Sequence, residues 1–238
     1  MRAVAIIPAA GEGTRMQSRS PKQFLSLAGS PILVHTVRKF SRCSLIQRAI
    51  IPMRKPDMAK VQAVLEKEGL ADFAKVVPGG IHRQDSVYNG FLAVEPETDV
   101  VVVHDAVRPF IDLATIEAVV REAQKVGSAI LAVPCTDTIK QIEKNLVTAT
   151  LPRDKIVLVQ TPQGFRYPIL KEGFERALAD NFYATDEACL IERLGYPVAV
   201  LRGSETNIKI TKPADLPFAE LLIRQETDRS GAQAKSVD

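Results

Sequence analysis

Short apolar runs alternate with segments of helical period along most of the chain. Residues 3–7 are small and aliphatic and stop at Pro8; residues 46–53, 73–77 and 100–103 repeat the pattern. Runs this short and this apolar read as strands buried on both faces. Val100, Val101, Val102 and Val103 are all β-branched and predict a central strand. Between the runs, Val34, Val37 and Phe40 fall at helical spacing, with Ser30 as N-cap and Pro31 at the first helical position. Met58, Val61, Val64 and Leu65 predict an amphipathic helix over residues 56–68 closed by Gly69, and a further helix runs through Val94. Residues 112–126 give another helix, ended by Gly127, and 128–133 another strand. Residues 156–159 and 198–201 read as later strands and 207–211 as a short one. Helices cover 168–179, the stretch capped by Thr185-Asp186-Glu187, and 213 to about 224. This alternation predicts an α/β fold: a Rossmann-like, mostly parallel twisted sheet with helices on both faces and right-handed crossovers. Ligands of such sheets sit beyond the carboxyl ends of the strands.

The pattern changes after Pro134. Residues 136–143 alternate polar and apolar, Lys144-Asn145 makes a turn, and 146–151 alternate again. This is hairpin sequence with no helix to cover it, and it predicts a protruding β-arm over about residues 136–155. A two-stranded arm is marginal alone and needs a surface to pack on. A second copy of the chain, in a homodimer, is the natural one.

Composition narrows the class. The 238 residues fit one large α/β domain or one domain plus a small appendage; the domain reads as 1–224, followed by a polar, charge-alternating tail at 225–238 that reads as disordered. A net charge of +3 is too small to argue for nucleic acid, and the apolar runs are too short to span a membrane. Cys43, Cys135 and Cys189 are widely separated, the pattern of reduced thiols in a cytoplasmic protein. With only His35, His82 and His104 besides, no zinc cluster is visible.

The chemistry concentrates at strand ends. After the first strand come Ala9, Ala10, Gly11 and Gly13, small residues that let backbone approach a ligand and present successive N–H groups to an anion. Arg15 and Lys22 add two cations. The third strand ends in Pro78-Gly79-Gly80, with Ser86 in the first turn of the next helix, a loop suited to packing on a nucleotide base. The central strand ends in His104-Asp105-Ala106-Val107-Arg108-Pro109, which places a carboxylate at the same cleft; a buried Asp needs a partner or a metal, and Arg108 is a candidate. The first loop lacks the third glycine of a dinucleotide fingerprint and the Gly-Lys-Ser/Thr of a P-loop.

What remains, Gly11-x-Gly13-Thr14-Arg15 followed by Ser20-Pro21-Lys22, resembles the signature of sugar-nucleotide pyrophosphorylases and cytidylyltransferases. Together with Gly79-Gly80 through Ser86, His104-Asp105, Asp137-Thr138, Arg153, Gln160-Thr161-Pro162-Gln163, Thr185-Asp186-Glu187-Ala188 and Asn207-Ile208-Lys209, it makes residues 1 to about 224 similar to the 2-C-methyl-D-erythritol 4-phosphate cytidylyltransferase family. The resemblance implies cytidylyl transfer from CTP to a polyol phosphate in non-mevalonate isoprenoid synthesis, with Mg²⁺ carried on triphosphate oxygens. It implies that Arg15, Lys22 and Lys209 stabilise the transferring phosphoryl group. Backbone at Ala9, Ala10 and Gly80, with Ser86, would read cytosine, and Asp105 would bind ribose or substrate hydroxyls. Arg108, Thr161 and Thr185 would join Asp105 and Lys209 around the acceptor, and Thr138 and Arg153 would reach a neighbouring subunit's site. Two positions depart from the family pattern: Ile81, where an acid is frequent, and Thr14, where Arg is sometimes found. Three rival readings are ribitol 5-phosphate as acceptor, another nucleotide with a hexose phosphate, and a catalytically silent nucleotide-binding module.

Overall fold

The computed structural model describes the backbone of residues 1–11, 16 and 21–235, with side chains as far as 228. Its strands are β1 (Ala3–Ile6), β2 (Ser26–Leu27), β3 (Ser30–Pro31), β4 (Ile46–Met53), β5 (Ala74–Pro78), β6 (Val100–Val103), β7 (Ser128–Pro134), β8 (Ile139–Glu143), β9 (Leu146–Leu151), β10 (Val157–Arg166) and β11 (Ala199–Arg202). The helices are α1 (Ile32–Ser41), α2 (Met58–Lys67), α3 (Arg83–Phe91), α4 (Leu113–Val126), α5 (Tyr167–Ala179), α6 (Glu187–Arg193) and α7 (Asp215–Lys235). Among the described residues, seven strands form one sheet in the order β11-β7-β10-β6-β1-β4-β5.

The sheet is covered on both faces, as the continuous apolar runs require. Ala3 and Ala5 of β1, Ala49, Ile51 and Met53 of β4, and Val100 and Val102 of β6 pack with Val34, Val37 and Phe40 of α1 and with Ile116, Val119 and Val120 of α4. The alternate residues Val4, Ile6, Ile50, Val101 and Val103 pack with Val87 and Phe91 of α3, Leu170 and Phe174 of α5, and Ile191 of α6. A period of two splits each strand between two cores. A third cluster, with Leu27, Ile32, Phe110, Ile210 and Leu222, seats α7.

Pairing is parallel for β1 with β4 and β6, β4 with β5, and β7 with β11, while β10 runs antiparallel to both β6 and β7. The exception has a local cause. A parallel return needs a crossover of a dozen or more residues, usually a helix. Between β7 and β10 the chain supplies the β8–β9 hairpin instead, a two-stranded sheet of its own with Lys144 and Asn145 at φ 47° and 66° in its turn.

Several sequence expectations shift. Ser30-Pro31 does not start α1: Ala28 and Gly29, at φ 48° and 85°, turn the chain so that Ser30–Pro31 pairs with Ser26–Leu27, and the helix begins at Ile32. Residues 207–211 form no strand; Ile210 N–H donates to the Val107 carbonyl, a loop rather than a sheet edge. The last helix does not end near 224 but runs to Lys235, into the stretch read as a disordered tail, and Lys39 holds it through Glu226 at 2.8 Å. Finally, β10 continues to Arg166, well beyond residue 159, with a register shift between Gln160 and Gln163.

Candidate nucleotide-transfer site

The carboxyl ends of β1, β4, β5 and β6 converge on one cleft, and short hydrogen bonds fix its floor. Ala9 N–H donates to the Pro52 carbonyl at 2.9 Å, and the buried Gln23 amide donates to the Ala9 carbonyl at 2.7 Å. The loop after β1 is thus pinned on both sides of one residue. Gly79 N–H donates to the Met53 carbonyl at 2.7 Å, which brings the β5 loop against it. A Cβ at Gly79 would stand 2.6 Å from the Ala10 Cβ, and one at Gly80 would stand 2.2 Å from the Asp85 Cβ. Only glycine permits both approaches. The Gly80 N–H donates to the Ser86 hydroxyl at 3.0 Å, so buried Ser86 shapes this loop from within α3.

A cavity of about 230 Å³ opens between the two loops, lined by Ala10, Gly11, Lys22, Gly80, Asp105 and Lys209 among others. Lys22 and Lys209, 187 positions apart in sequence, face the same space. Ile81 stands at its mouth, 93% exposed. Gly13 and Arg15 lie outside the described residues.

Asp105, at the tip of β6, is ringed by cations. Lys209 Nζ is 2.9 Å from its Oδ2, Arg108 Nε 3.4 Å from the same oxygen, and Arg83 Nε 3.7 Å from Oδ1. Burial opposes its ionisation, but Lys209, Arg83 and Arg108 outweigh burial and hold the carboxyl well below the usual carboxylate range. Arg83 in turn meets both oxygens of buried Glu187 at 2.7 and 3.0 Å. Burial raises the Glu187 carboxyl, and the facing guanidinium pulls it back. Among the described residues, no three His, Cys, Asp or Glu side chains form a group that could hold a metal ion.

Behind Asp105 lies fully buried His104, which burial pushes down to about 4. Its Nε2 lies 3.0 Å from the Arg108 carbonyl and its Nδ1 3.2 Å from the Thr161 hydroxyl. A carbonyl only accepts, so neutral His104 carries its proton on Nε2, and Thr161 donates to Nδ1 while accepting the Asp105 N–H at 3.0 Å.

A second cavity of about 180 Å³ adjoins the first and shares Arg83, Asp105 and Lys209 with it; Arg108, Thr161 and Thr185 line it too. The acceptor residues nominated from sequence in this part of the chain therefore meet in one place. Thr138 and Arg153 line neither cavity. Arg153 donates instead to the Thr136 carbonyl at 2.6 Å, at the base of the exposed hairpin.

From the sequence, Gln23, Arg83, Glu187 and Asn207 were not among the candidate site residues. Asn207 is buried and its side-chain amide N–H donates to the Thr161 carbonyl at 2.9 Å and to Gln160 Oε1 at 3.2 Å, while its backbone carbonyl accepts from Arg108 Nη1 at 2.7 Å. Glu187 carried a signal, an acid in a first helical turn, but dipole chemistry explains such an acid without burial.

The chain matches the model of the 2-C-methyl-D-erythritol 4-phosphate cytidylyltransferase family over residues 3–225. It is 46% identical to the 2-C-methyl-D-erythritol 4-phosphate cytidylyltransferase of Solibacter usitatus, with 97% of this chain and 99% of that protein covered. To the protein of that name from Acidobacterium capsulatum it is 45% identical, covering 96% and 100%. Its fold superposes on the crystal structure of 4-diphosphocytidyl-2C-methyl-D-erythritol synthase from Anaerococcus prevotii with a TM-score of 0.83 at 31% identity, covering 94% of this chain and 96% of that one. The match runs through nearly the whole length in both sequence and fold, and the chain belongs to the 2-C-methyl-D-erythritol 4-phosphate cytidylyltransferase family.

Proposed function

We propose that this protein transfers a cytidylyl group from CTP to 2-C-methyl-D-erythritol 4-phosphate, releasing pyrophosphate, in non-mevalonate isoprenoid precursor synthesis. The observation that carries the chemistry is the placement of Lys22 and Lys209 around one cavity, bordered by the small residues Ala9, Ala10, Gly11 and Gly80 and joined through Arg83, Asp105 and Lys209 to a second cavity. A phosphate oxygen of the acceptor, seated in the second cavity, attacks the α-phosphorus of CTP in line. The new P–O bond forms as the bond to the β-phosphate oxygen breaks, and the electron pair leaves on pyrophosphate. Such transfer needs positioning and charge stabilisation more than covalent help. Lys22 and Lys209, with Arg15, supply charge, and the loops at Ala9, Ala10, Gly11, Gly13 and Gly80 hold the nucleotide. Ser86 acts on the base through the Gly80 loop it braces, and Asp105 accepts hydroxyls of ribose or acceptor beside Arg108, Thr161 and Thr185.

Mg²⁺ dependence belongs to the same proposal. Mg²⁺ prefers phosphate and water oxygens to a protein cage, which fits a site whose central carboxylate is already surrounded by cations. When bound on the triphosphate, the ion neutralises charge on the leaving pyrophosphate. The proposal also places the protein in the cytoplasm, as a homodimer joined through the β8–β9 hairpin. Exposed Ile142, Leu146 and Val147 on the hairpin support the dimer.

Pyrophosphate release by the purified protein with Mg²⁺ tests the reaction, pairing CTP, UTP, ATP and GTP with methylerythritol 4-phosphate and ribitol 5-phosphate. Release with CTP and methylerythritol 4-phosphate alone is expected, falling about 100- to 1000-fold in Lys22→Ala. Release with ribitol 5-phosphate instead would move the pathway, and CTP binding without turnover would leave a binding module.

A further inference from the structure

Arg83 and Glu187 form an ion pair at the junction of the two cavities that the reaction as proposed does not use. Arg83 opens α3 and Glu187 opens α6, so the pair ties the helix bearing Ser86 to the helix start that follows Thr185. The pair is forked, with Nη1 and Nη2 on the two oxygens of a carboxylate only 1% exposed. That geometry belongs to Arg and not to Lys. The remaining guanidinium nitrogen, Nε, faces Asp105 Oδ1 at 3.7 Å.

The two oxygens of Asp105 therefore face different kinds of cation. Oδ1 faces an arginine whose other end is fixed. Oδ2 faces Lys209, on a flexible stem, 34% exposed and lining both cavities, together with Arg108, whose Nη1 is already donated to the Asn207 carbonyl. Any phosphate that draws Lys209 towards it takes a counter-charge from Asp105. A buried carboxylate stripped of its partner is strongly destabilising, so the exchange is cheap only if another cation stays in place.

We propose that Arg83, locked by Glu187, is a positioning residue that holds the charge of Asp105 while Lys209 exchanges that carboxylate for a substrate phosphate. This rests on the cytidylyltransferase reading for the identity of the phosphate. It makes Lys209 a shared group, held by Asp105 at 2.9 Å and delivered to a phosphate that competes for it. Without Arg83, Asp105 is left with Arg108, whose Nε stands 3.4 Å from the oxygen that Lys209 holds at 2.9 Å, and Oδ1 has lost its cation, so Asp105 holds Lys209 more tightly.

Arg83→Gln alone leaves Glu187 buried without a counter-charge, so the test removes both charges at once in Arg83→Gln/Glu187→Gln. Lys209→Met is then made in the wild type and in that neutral background, with kcat and KM for each substrate read from pyrophosphate release and the unfolding transition as a check on folding. In the wild type, Lys209→Met is expected to cost about 100-fold or more in kcat/KM. In the neutral background it should cost less than about tenfold, because there Lys209 no longer reaches the phosphate; such non-additivity marks coupled residues. Equal costs in the two backgrounds would overturn the proposal and leave the pair a structural tie. Should the neutral pair fail to fold, Arg83→Lys keeps the charge without the fork: a lower kcat/KM with a raised KM for the phosphate substrates supports the proposal, and wild-type kinetics sinks it. Calorimetric binding of inorganic pyrophosphate reads the same coupling without turnover. A wild-type protein that binds pyrophosphate yet joins no substrates would remove the reaction while the binding cycle still decides the role of Arg83.

Discussion

At the residue scale, the site is a chain of polar groups that each have one workable arrangement. His104 donates to Arg108 and accepts from Thr161, and Thr161 accepts from the Asp105 N–H, so the backbone presenting the carboxylate is held from behind. A buried neutral imidazole makes this arrangement pH-sensitive in a defined direction. Its folded value, about 4, lies below the ordinary 6.5, so the unfolded chain takes up a proton first as pH falls. The stability that neutral His104 contributes is complete above pH 6.5 and drains away between 6.5 and about 4, to a total of about 3 kcal/mol. His104→Gln, whose amide can still donate to Arg108, should lose much of that dependence. Urea unfolding at pH 7.5 and 4.5 checks it: the wild type should be the more stable at pH 7.5 and the gap should narrow at 4.5, whereas a constant gap means that His104 does not titrate on unfolding. Sequence made Asp105 visible here, as a carboxylate ending a β-branched strand. It also offered Arg108, three positions on, as the partner; spacing could not bring Arg83 and Lys209 to the same carboxylate, because other elements supply them from 22 positions before and 104 after.

At the element scale, what was legible followed from periodicity and capping. Asp112 caps α4 by accepting the Thr115 N–H at 2.7 Å, and Gly127, at φ 114°, ends that helix as expected. The strands read as buried on both faces are so, since each splits its side chains between two cores. The second half of β10 was illegible because Gln160, Thr161, Pro162, Gln163 and Gly164 carry no apolar alternation; the strand holds because β7 pairs on both sides of the register shift and β6 joins from Gln163 onward. Propensity also misleads at Gly90, in the last turn of α3. Alanine there would gain up to about 1 kcal/mol of helix propensity. Yet a Cβ would stand 2.7 Å from Ile6 Cγ2 and 2.8 Å from Pro52 Cγ, between β1 and β4, where neither side chain has room to retreat. Overpacking of this kind costs about 1–3 kcal/mol, so packing wins over propensity. Gly90→Ala should lower the chemical-denaturation midpoint and, by lifting α3 off the sheet, raise KM for CTP. A stabilised variant would mean that α3 moves freely on the strands.

At the scale of the whole molecule, exposed apolar side chains gather on the hairpin side. Val157, Leu158 and Val159 are consecutive in β10 and all exposed; β6 joins β10 only from Gln163 onward, so among the described residues that earlier edge pairs with no second strand. Open strand edges with apolar side chains are pairing surfaces. The adjoining hairpin is apolar and exposed as well, and Thr138 and Arg153, which resemblance assigns to the acceptor, line neither cavity of their own chain. A two-fold dimer accounts for both facts at once, since each copy would cover the other's edge and send its Arg153 into the other's site. Sedimentation of Leu158→Lys/Val147→Lys should then give the monomer mass, with the cooperative unfolding of the sheet retained and turnover lost. Mixing distinguishes help across the interface from help within one chain. Lys22→Ala removes a group from a subunit's own cleft, whereas Arg153→Ala removes one from its neighbour's. In a mixed dimer the cleft with intact Lys22 receives an intact Arg153, and the other cleft lacks both. After exchange at equal concentrations half the dimers are mixed and one cleft in each works, so two nearly inactive preparations should regain about a quarter of wild-type turnover. No regain after demonstrated subunit exchange would place Arg153 in the service of its own chain and remove the functional reason for the dimer.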